Sequence, residues 1–299
     1  MTIAITGATG FVGSRVQTLA NLPLRALTRR PQPARSGALW VAGDLADPAA
    51  LARLCAGASA VIHIAGIVNA PDRAAFDAGN VAGTAAILAA ARTAGITRFI
   101  HVSSLAAREP ELSMYGASKA AAEALVAASG LDWVIVRPPG VYGPGDAEMR
   151  DLYRLAARGF AVAPPGRISL IHVDDLARAL LVLARAGPSH ATLEIDDGAA
   201  NGYSHAEFAN AIGRGLGRKL AILPLPTAVL GPAARIAALV ARLSGVPAKL
   251  TADRARYIAH SDWVSHRGNA ALAGLWAPQI DLAAGIADTI VGYRARNWL

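Results

Sequence analysis

The feature that most constrains the fold is a glycine-rich turn that follows the first apolar run. Ile3–Thr6 have the composition of a short buried strand, and a helical stretch begins after the turn. Glycine permits positive φ angles and removes side chains that would block a pyrophosphate. The following helix N-terminus adds free N–H groups and a partial positive charge. The spacing G-x-x-G-x-x-G therefore predicts a dinucleotide-binding loop formed by Gly7, Thr9, Gly10, Phe11, Val12 and Gly13.

Short β-branched runs alternate with alanine-rich stretches through the first 140 residues. This alternation predicts an α/β fold, a Rossmann-type doubly wound parallel sheet whose ligands bind beyond the carboxyl ends of the strands. The expected strands are Ile3–Thr6, Leu24–Thr28, Leu39–Ala42, Ala60–Ile64, Phe99–Ser103 and Trp133–Val136. The expected helices between them are Val12–Ala20, Pro48–Cys55, Ala74–Ala94 and Tyr115–Ala128.

The pattern loosens after Pro138, where proline- and glycine-rich turns become frequent. Two helices are still indicated, Val173–Ala184 and Ser204–Leu216, the second by the capping-box spacing of Ser204 and Glu207. We expect residues 1–140 to form a dinucleotide-binding core, with strand and helix contributions from about residues 165–200. Residues 141–299 then form mainly a smaller C-terminal substrate-binding part, which lies over the ligand cleft.

Composition excludes several classes of protein. The net charge is +8, but no run of five Lys or Arg occurs and aromatic residues make up 5%, which argues against a nucleic-acid partner. The mean hydropathy is +0.36, yet the most apolar window, Leu220–Ala241, contains three prolines and Arg235, so no membrane span is predicted. The single Cys55 and an N-terminus without a basic segment favour a cytoplasmic location.

The residues after the second strand bear on which dinucleotide binds. An acidic residue at this place would hold the ribose 2′-OH of NAD, whereas an arginine accommodates the 2′-phosphate of NADP. The chain has Arg29 and Arg30 here and no acid before Asp44. The prediction is NADP(H) rather than NAD(H), with Arg29 favoured over Arg30. The alternative that Arg29 and Arg30 are solvated turn residues without a ligand stays open.

Tyr115 and Lys119 are four residues apart and so share one helix face. Only three of the 29 basic residues are lysines, which makes Lys119 stand out against a background of arginine. A nearby cation favours the phenolate and lowers the pKa of a tyrosine. Such a tyrosine can exchange a proton with a carbonyl or alcohol oxygen at neutral pH.

With these motifs the chain resembles a short-chain dehydrogenase/reductase of the extended type. This epimerase/dehydratase-like group includes dihydroflavonol reductases and 3β-hydroxysteroid dehydrogenases, which the C-terminal run 223–251 resembles in particular. The resemblance covers nearly the whole chain. It rests on eight marks in the family's order: Gly7–Gly13, Gly43–Leu45, Val61–Gly66, Asn80–Thr84, Phe99–Ser104, Tyr115–Lys119, Arg137–Gly145 and His172–Asp175.

The resemblance implies a role for each matching residue. Tyr115 is the general acid/base, Lys119 lowers its pKa and binds the nicotinamide ribose, and a serine polarises the substrate oxygen. Ser104 is favoured over Ser103 for that serine. Asp44 and Leu45 would border the adenine, the Ala65-Gly66 turn would pack along the cofactor, and Pro138 would lie near the nicotinamide.

The favoured function is an NADP(H)-dependent oxidoreductase that interconverts a ketone and a secondary alcohol on a small, rather apolar molecule. One alternative is a nucleotide-sugar epimerase or dehydratase with a tightly bound cofactor, for which Arg150, Arg154 and Arg167 could contact a diphosphate. Another is a non-catalytic NADP-binding sensor or accessory protein. Related proteins often dimerise through the helix that carries the Tyr-Lys pair, so a homodimer is expected by analogy.

Other polar residues are expected to be structural. His63, His101 and His172 lie in or beside apolar strands without metal-ligand spacing, which predicts hydrogen-bonded core histidines and no metal site. Asp174 and Asp175 are expected to cap and charge a helix start.

Overall fold

The computed structural model describes residues 1–244, 251–266 and 269–299. The first half contains β1 (Ile3–Thr6), α1 (Phe11–Leu19), β2 (Leu24–Thr28), β3 (Ala38–Ala42), α2 (Pro48–Cys55), β4 (Ala60–His63), α3 (Arg73–Phe76), α4 (Gly83–Thr93), β5 (Arg98–Val102), α5 (Met114–Ala127) and β6 (Asp132–Val136). The second half contains β7 (Gly140–Tyr142), α6 (Arg150–Ala157), β8 (Phe160–Ala163), β9 (Arg167–Ile168), β10 (Leu170–His172), α7 (Val173–Leu183), β11 (Ala191–Leu193), β12 (Tyr203–Ser204), α8 (His205–Gly215), β13 (Ala221–Pro224), α9 (Thr227–Ser244), α10 (Ala252–Ala259), β14 (Asp262–Trp263) and α11 (Leu282–Ala295).

Seven strands form one parallel sheet in the order β11-β6-β5-β4-β1-β2-β3. Helices cover both faces: α1 and α7 pack on one, where Val16, Leu176 and Leu180 are fully buried. On the other face α2 and α4 bury Leu51 and Ile87. The predicted doubly wound α/β fold is confirmed, because parallel strands with helical crossovers bury both faces of the sheet.

A long helix crosses between β4 and β5. It consists of α3, a π-helical segment at Asp77–Ala82, and α4. The span Arg73–Thr93 has the length and composition of a membrane-crossing helix, with a mean hydropathy of 1.3. It is a different segment from the apolar window Leu220–Ala241. In this fold the span is a crossover helix that packs against α2 and α5.

The C-terminal part is built from small sheets and an aromatic cluster. β7 pairs with β10, β13 with β8, and β9 with both β12 and β14. Tyr142, Tyr153, Phe208 and Tyr293 are buried together between α6, α8 and α11. A second, much smaller cluster joins α9 to α10. Residues 245–250 of the apolar run noted in the sequence lie outside the described residues.

Three contacts tie this part to the carboxyl edge of the sheet. Arg108, between β5 and α5, donates hydrogen bonds to the carbonyl oxygens of Val264 and Asp262 at 2.7 and 2.5 Å. The backbone N–H of Met114, at the start of α5, donates to the Asp253 carboxylate at 3.0 Å. The fully buried Asp175 of α7 accepts N–H groups from residues 279 and 280. The C-terminal part therefore lies over the start of α5.

Candidate active site

The turn after β1 is closely packed at two glycines and less crowded at the third. A Cβ on Gly7, whose φ is +72°, would lie 2.6 Å from the Ala65 nitrogen, and one on Gly13 would lie 2.1 Å from the Gly7 oxygen. Gly10 is the N-cap of α1, and within 4 Å its Cβ would meet only the Gly7 oxygen among the described residues. No acidic side chain lies in the first turn of α1. This cradle fits a diphosphate, which needs open space and free N–H groups.

Thr9, Phe11 and Val12 complete the loop. Thr9 is exposed, whereas Phe11 and Val12 are half-buried, and Val12 packs against the core. Val12 therefore helps to hold α1 on the sheet.

Both arginines after β2 are exposed. The Thr28 hydroxyl shapes the turn by donating to the Arg30 oxygen at 2.6 Å and accepting from the Arg30 nitrogen at 3.3 Å. Among the residues that the structure describes, neither guanidinium forms an ion pair, so Arg29 and Arg30 are both available to a phosphate.

The loops after β3 and β4 border the same edge. Asp44 is exposed and accepts the Ala46 N–H at 2.8 Å, so its carboxylate holds the turn. Leu45 packs against α4, where a Cβ on Gly83 would meet it at 2.7 Å. Asp44 is thus positioned at the rim, while Leu45 belongs mainly to the packing beneath it.

Asn80 organises the loop after β4. Its Oδ1 accepts the Ile67 N–H at 2.8 Å, and its Nδ2 donates to the Ile67 oxygen at 3.0 Å and to the Ser118 hydroxyl at 2.9 Å. A Cβ on Gly66 would lie 2.9 Å from Asn80 Oδ1 and 3.7 Å from Lys119 Nζ. The sequence marked Asn80 as part of a motif without giving it a role. A buried amide in an apolar helix is the signal that could have revealed it.

Tyr115, Lys119 and Ser104 come together where β5 ends and α5 begins. Ser113 caps α5 by accepting the Gly116 N–H at 2.9 Å, which fixes the first turn. The ammonium of Lys119, one turn on, is buried and donates to the Val102 oxygen at 2.8 Å. The side chain of Ser104 lies beside the phenol of Tyr115, close enough to lower the pKa of that phenol.

The pKa of Tyr115 does not follow the sequence-based expectation. Burial raises the pKa of the phenol, and the negative charge of Glu148 raises it further. The neighbouring side chain of Ser104 lowers it by a smaller amount than burial raises it. Burial lowers the pKa of Lys119 to about 8. The expectation that Lys119 lowers the pKa of Tyr115 is wrong for this structure, because desolvation of the phenol outweighs any attraction from the ammonium.

The two neighbouring serines have different partners. Ser103 donates to Glu123 Oε1 at 2.5 Å, and Arg137 forms two hydrogen bonds to the same carboxylate at 2.9 and 2.6 Å. Ser103 is therefore engaged in the core, whereas Ser104 accepts the Ala106 N–H at 3.2 Å, which leaves its hydroxyl hydrogen available to donate. In the sequence Glu123 looks like a surface residue of an alanine-rich helix, and only the fold shows that it is buried. Pro138, also buried, accepts the Leu105 N–H at 2.9 Å and joins the ends of β5 and β6.

The histidines are only partly as expected. His63 lies between the hydroxyls of Thr6 and Thr84, at 2.6 and 3.0 Å, and burial lowers its pKa to about 3. His101 corrects the prediction, since neither of its buried ring nitrogens has a hydrogen-bond partner in the described part of the chain. His172 caps α7 by accepting the Asp174 N–H at 3.3 Å.

No cluster of His, Cys, Asp and Glu that could hold a metal occurs within the ranges that the structure describes. Asp174 and Asp175 lie in the first turn of α7, but the N-cap is His172, so the expectation that they cap the helix is wrong. Asp174 pairs with Arg15 of α1 at 2.5 Å, and Asp175 binds the later segment described above. Their charges are therefore used in joining elements.

The arginines considered for a sugar diphosphate are engaged elsewhere. Arg150 lies over the ring of Trp298, 5.3 Å from its centroid, and Arg154 donates to the Trp298 oxygen at 2.9 Å. Arg167 donates to the carbonyl oxygens of residues 201 and 202 and pairs with Glu207 at 3.2 Å. These contacts stabilise the C-terminal part and leave little reason to assign the three residues to a ligand.

Comparisons with known proteins agree with this geometry. A model of the NAD dependent epimerase/dehydratase family matches residues 3–195. The chain is 38% identical to a ceramide reductase of Caulobacter vibrioides, over 99% of this chain and 96% of the relative. It is 31% identical to a 4-hydroxy-2-methyl-3-oxo-4-farnesyl-3,4-dihydroquinoline-1-oxide ketoreductase of Stigmatella aurantiaca, over 65% of this chain and 68% of that protein. The solved structure of gox2253 has a TM-score of 0.81 at 24% identity, covering 100% of this chain and 99% of that one, which is a likeness of fold.

Proposed function

The chain belongs to the NAD dependent epimerase/dehydratase family, and on that premise we propose that it uses NADPH to reduce a ketone on a long, apolar, ceramide-like molecule. The general activity follows from the family and the reductase relatives: the chain is an NAD(P)-dependent oxidoreductase of the short-chain dehydrogenase/reductase type. The observation that carries the proposal is the placement of Ser104 beside Tyr115, one helical turn from the buried Lys119.

The chemistry needs a hydride and a proton on the two ends of a carbonyl group. When bound, the reduced nicotinamide supplies the hydride. The hydroxyl groups of Ser104 and Tyr115 hold the carbonyl oxygen, and Tyr115 donates the proton that turns it into an alcohol. Because the pKa of Tyr115 is raised, the phenol is protonated at neutral pH, as an acid for reduction must be. Lys119 lends positive charge as that proton leaves, and Asn80 keeps the adjoining loop in place.

Three features support NADPH as the cofactor. The loop of Gly7, Gly10 and Gly13 has room for a diphosphate, and a carboxylate that would bind a ribose 2′-OH is missing after β2. Arg29 and Arg30 are exposed at that place, and a guanidinium binds phosphate in a bidentate manner. We assign the cofactor to residues 1–140 with strand and helix from about 165–200, and the substrate mainly to residues 141–299.

The substrate class rests on two supports. The relative that aligns over nearly the whole chain is a ceramide reductase, and the quinoline-oxide ketoreductase also has an apolar farnesyl group in the name of its substrate. In addition, Arg150, Arg154 and Arg167 contact other parts of the protein, which gives them a role other than binding a diphosphate. A keto precursor of a ceramide fits these observations better than a nucleotide sugar.

The test is cofactor oxidation with purified protein and a panel of ketones. We expect NADPH oxidation with an N-acylated long-chain amino ketone, the keto form of a ceramide, at a kcat/KM at least about tenfold higher than with NADH. UDP-sugars and steroid ketones form the rest of the panel. A preference for NADH, or turnover of UDP-sugars alone, would contradict the proposal.

The matched variant is Tyr115→Phe, which keeps the ring and removes the proton donor. We expect kcat to fall by about a thousandfold while NADPH still binds with unchanged affinity, measured by fluorescence titration. Ser103→Ala is the control for the neighbouring serine, and Ser104→Ala should lower kcat far more than it does. Unchanged turnover in Tyr115→Phe would refute its assigned role.

A further inference from the structure

Helix α9 presents apolar side chains to solvent instead of burying them. Val229, Ile236, Leu239 and Val240 are 44%, 64%, 59% and 55% exposed, whereas no other helix in the described ranges has more than one exposed large apolar side chain. The opposite side of α9 is the buried one, where Leu230 packs with residues of α10. Large exposed apolar patches mark interaction sites.

These side chains form one stripe. At 3.6 residues per turn, Val229, Pro232, Ile236, Leu239 and Val240 fall within an arc of roughly 100° along the helix. We call these five residues the apolar stripe of α9. Leu230 and Ala234 lie on the face turned to α10, and each is at most 3% exposed. The helix is thus apolar on two sides, of which only one is covered by the described protein.

The charge around the stripe has one sign. Arg235 and Arg242 are exposed, and their spacing of seven residues places both on the same border of the stripe. In the sequence, residues 208–252 contain no Asp or Glu. Their six basic residues are Arg214, Arg218, Lys219, Arg235, Arg242 and Lys249. An amphipathic helix with an apolar stripe and flanking cations is the type that lies in the interface of a bilayer.

We propose that α9 docks the protein on the surface of a membrane that contains anionic phospholipid. The apolar stripe enters the boundary between headgroups and acyl chains, and the guanidinium groups of Arg235 and Arg242 contact the lipid phosphates. A second copy of the chain fits less well. A symmetric contact through this face would bring four arginines together, with no carboxylate supplied by residues 208–252.

The docking face is one helix away from the candidate active site. The inner face of α9 packs on α10, and Asp253 of α10 accepts the N–H of Met114, the residue before Tyr115. Arg256 of α10 donates to the Leu112 oxygen at 3.5 Å. A lipid drawn from the bilayer past α9 and α10 would reach the start of α5. This last step rests on the proposed function, whereas docking itself does not.

The test is flotation of the full chain with lipid vesicles. We expect binding to vesicles of phosphatidylcholine with about 30% phosphatidylglycerol to exceed binding to phosphatidylcholine alone by at least about tenfold, and to weaken with added salt. Flotation needs no turnover. A chain that floats without reducing any ketone therefore refutes the proposed function and supports docking, and a chain that reduces ketones without floating refutes docking.

Paired variants separate the two contributions. Ile236→Ser with Leu239→Ser should lower vesicle binding at least about tenfold, since two exposed apolar side chains no longer enter the bilayer. Arg235→Gln with Arg242→Gln should lower binding to anionic vesicles by about tenfold or more and leave the weak neutral binding unchanged. The matched controls are exposed residues elsewhere, Leu39→Ser with Val291→Ser and Arg92→Gln with Arg294→Gln.

The variants alter exposed positions, and circular dichroism with thermal unfolding checks that each is folded. Equal loss of binding in the control variants would overturn the proposal, because docking would then not depend on α9. The proposal would also be overturned if the wild type did not bind vesicles and light scattering showed a wild-type dimer that dissociates in the Ile236→Ser, Leu239→Ser variant. That outcome would assign the stripe to a second copy of the chain.

Discussion

The turn after β1 and helix α9 are packed differently. At the turn after β1, a Cβ on Gly13 would lie 2.1 Å from a backbone oxygen, and the strands around it are almost wholly buried. In α9 a Cβ on Gly231 would meet no described atom within 4 Å. In the turn after β1, a side chain larger than that of glycine would collide with the backbone at Gly7 and Gly13. Helix α9 has space for an added side chain at Gly231, so substitutions there disturb the packing less.

The largest expected effect concerns the buried ion pair between Arg137 and Glu123. Arg137→Met leaves the buried Glu123 carboxylate with only Ser103, and we expect a loss of about 3–5 kcal/mol in the free energy of unfolding. Arg256→Met in α10 removes an exposed pair with Asp253 and should cost less than about 1 kcal/mol. Urea unfolding measures the free energy of unfolding of both variants. Similar losses would contradict the contrast between the buried Arg137–Glu123 pair and the exposed Arg256–Asp253 pair.

Glycine substitutions test the same contrast through the backbone. We expect Gly13→Ala to lower the free energy of unfolding by about 3 kcal/mol, because the backbone oxygen that its Cβ meets cannot turn aside. Gly231→Ala lies inside α9 in open space and should raise stability by about 0.5–1 kcal/mol. Thermal unfolding measures both. Destabilisation by Gly231→Ala would show that α9 is more closely covered than described.

A further expected effect concerns the charge of Lys119 and the pH. The pKa of Lys119 is lowered from 10.5 to about 8, so between these pH values the unfolded chain binds more protons than the folded one. The contribution of this residue to stability therefore rises with pH across that window, by up to about 3 kcal/mol. Urea unfolding from pH 7 to 10 should show wild type gaining on Lys119→Met as the pH increases. A constant difference between the two would contradict it.

The sequence predicts those parts of the fold that depend on local pattern. Strand runs such as Ile3–Thr6 and Leu24–Thr28 are found with the same bounds, and the expected helix Ala74–Ala94 is found as Arg73–Thr93 with a π-helical segment inside it. Alternation and glycine spacing are properties of neighbouring residues. They can therefore be interpreted without knowledge of distant segments.

The parts that could not be predicted depend on residues far apart in the chain. Ser103, Glu123 and Arg137 meet only because β5, α5 and β6 are adjacent in space. Likewise, the sequence offered Arg150 as a ligand for a diphosphate, and its actual neighbour is Trp298 near the other end of the chain. Composition reveals that a residue is charged or polar. The fold decides whether its partner is a ligand or another segment of the protein.

The seam between Arg108 and the segment at Asp262 and Val264 has a consequence for the order of synthesis. The ribosome releases the chain from its N-terminus, and folding can begin before the end has been made. Arg108 and Met114 emerge soon after the cofactor loop, but their partners Val264, Asp262 and Asp253 are more than 130 positions later. A nascent chain that has released Tyr115 but not yet residues 253–264 therefore lacks the segments that cover the start of α5.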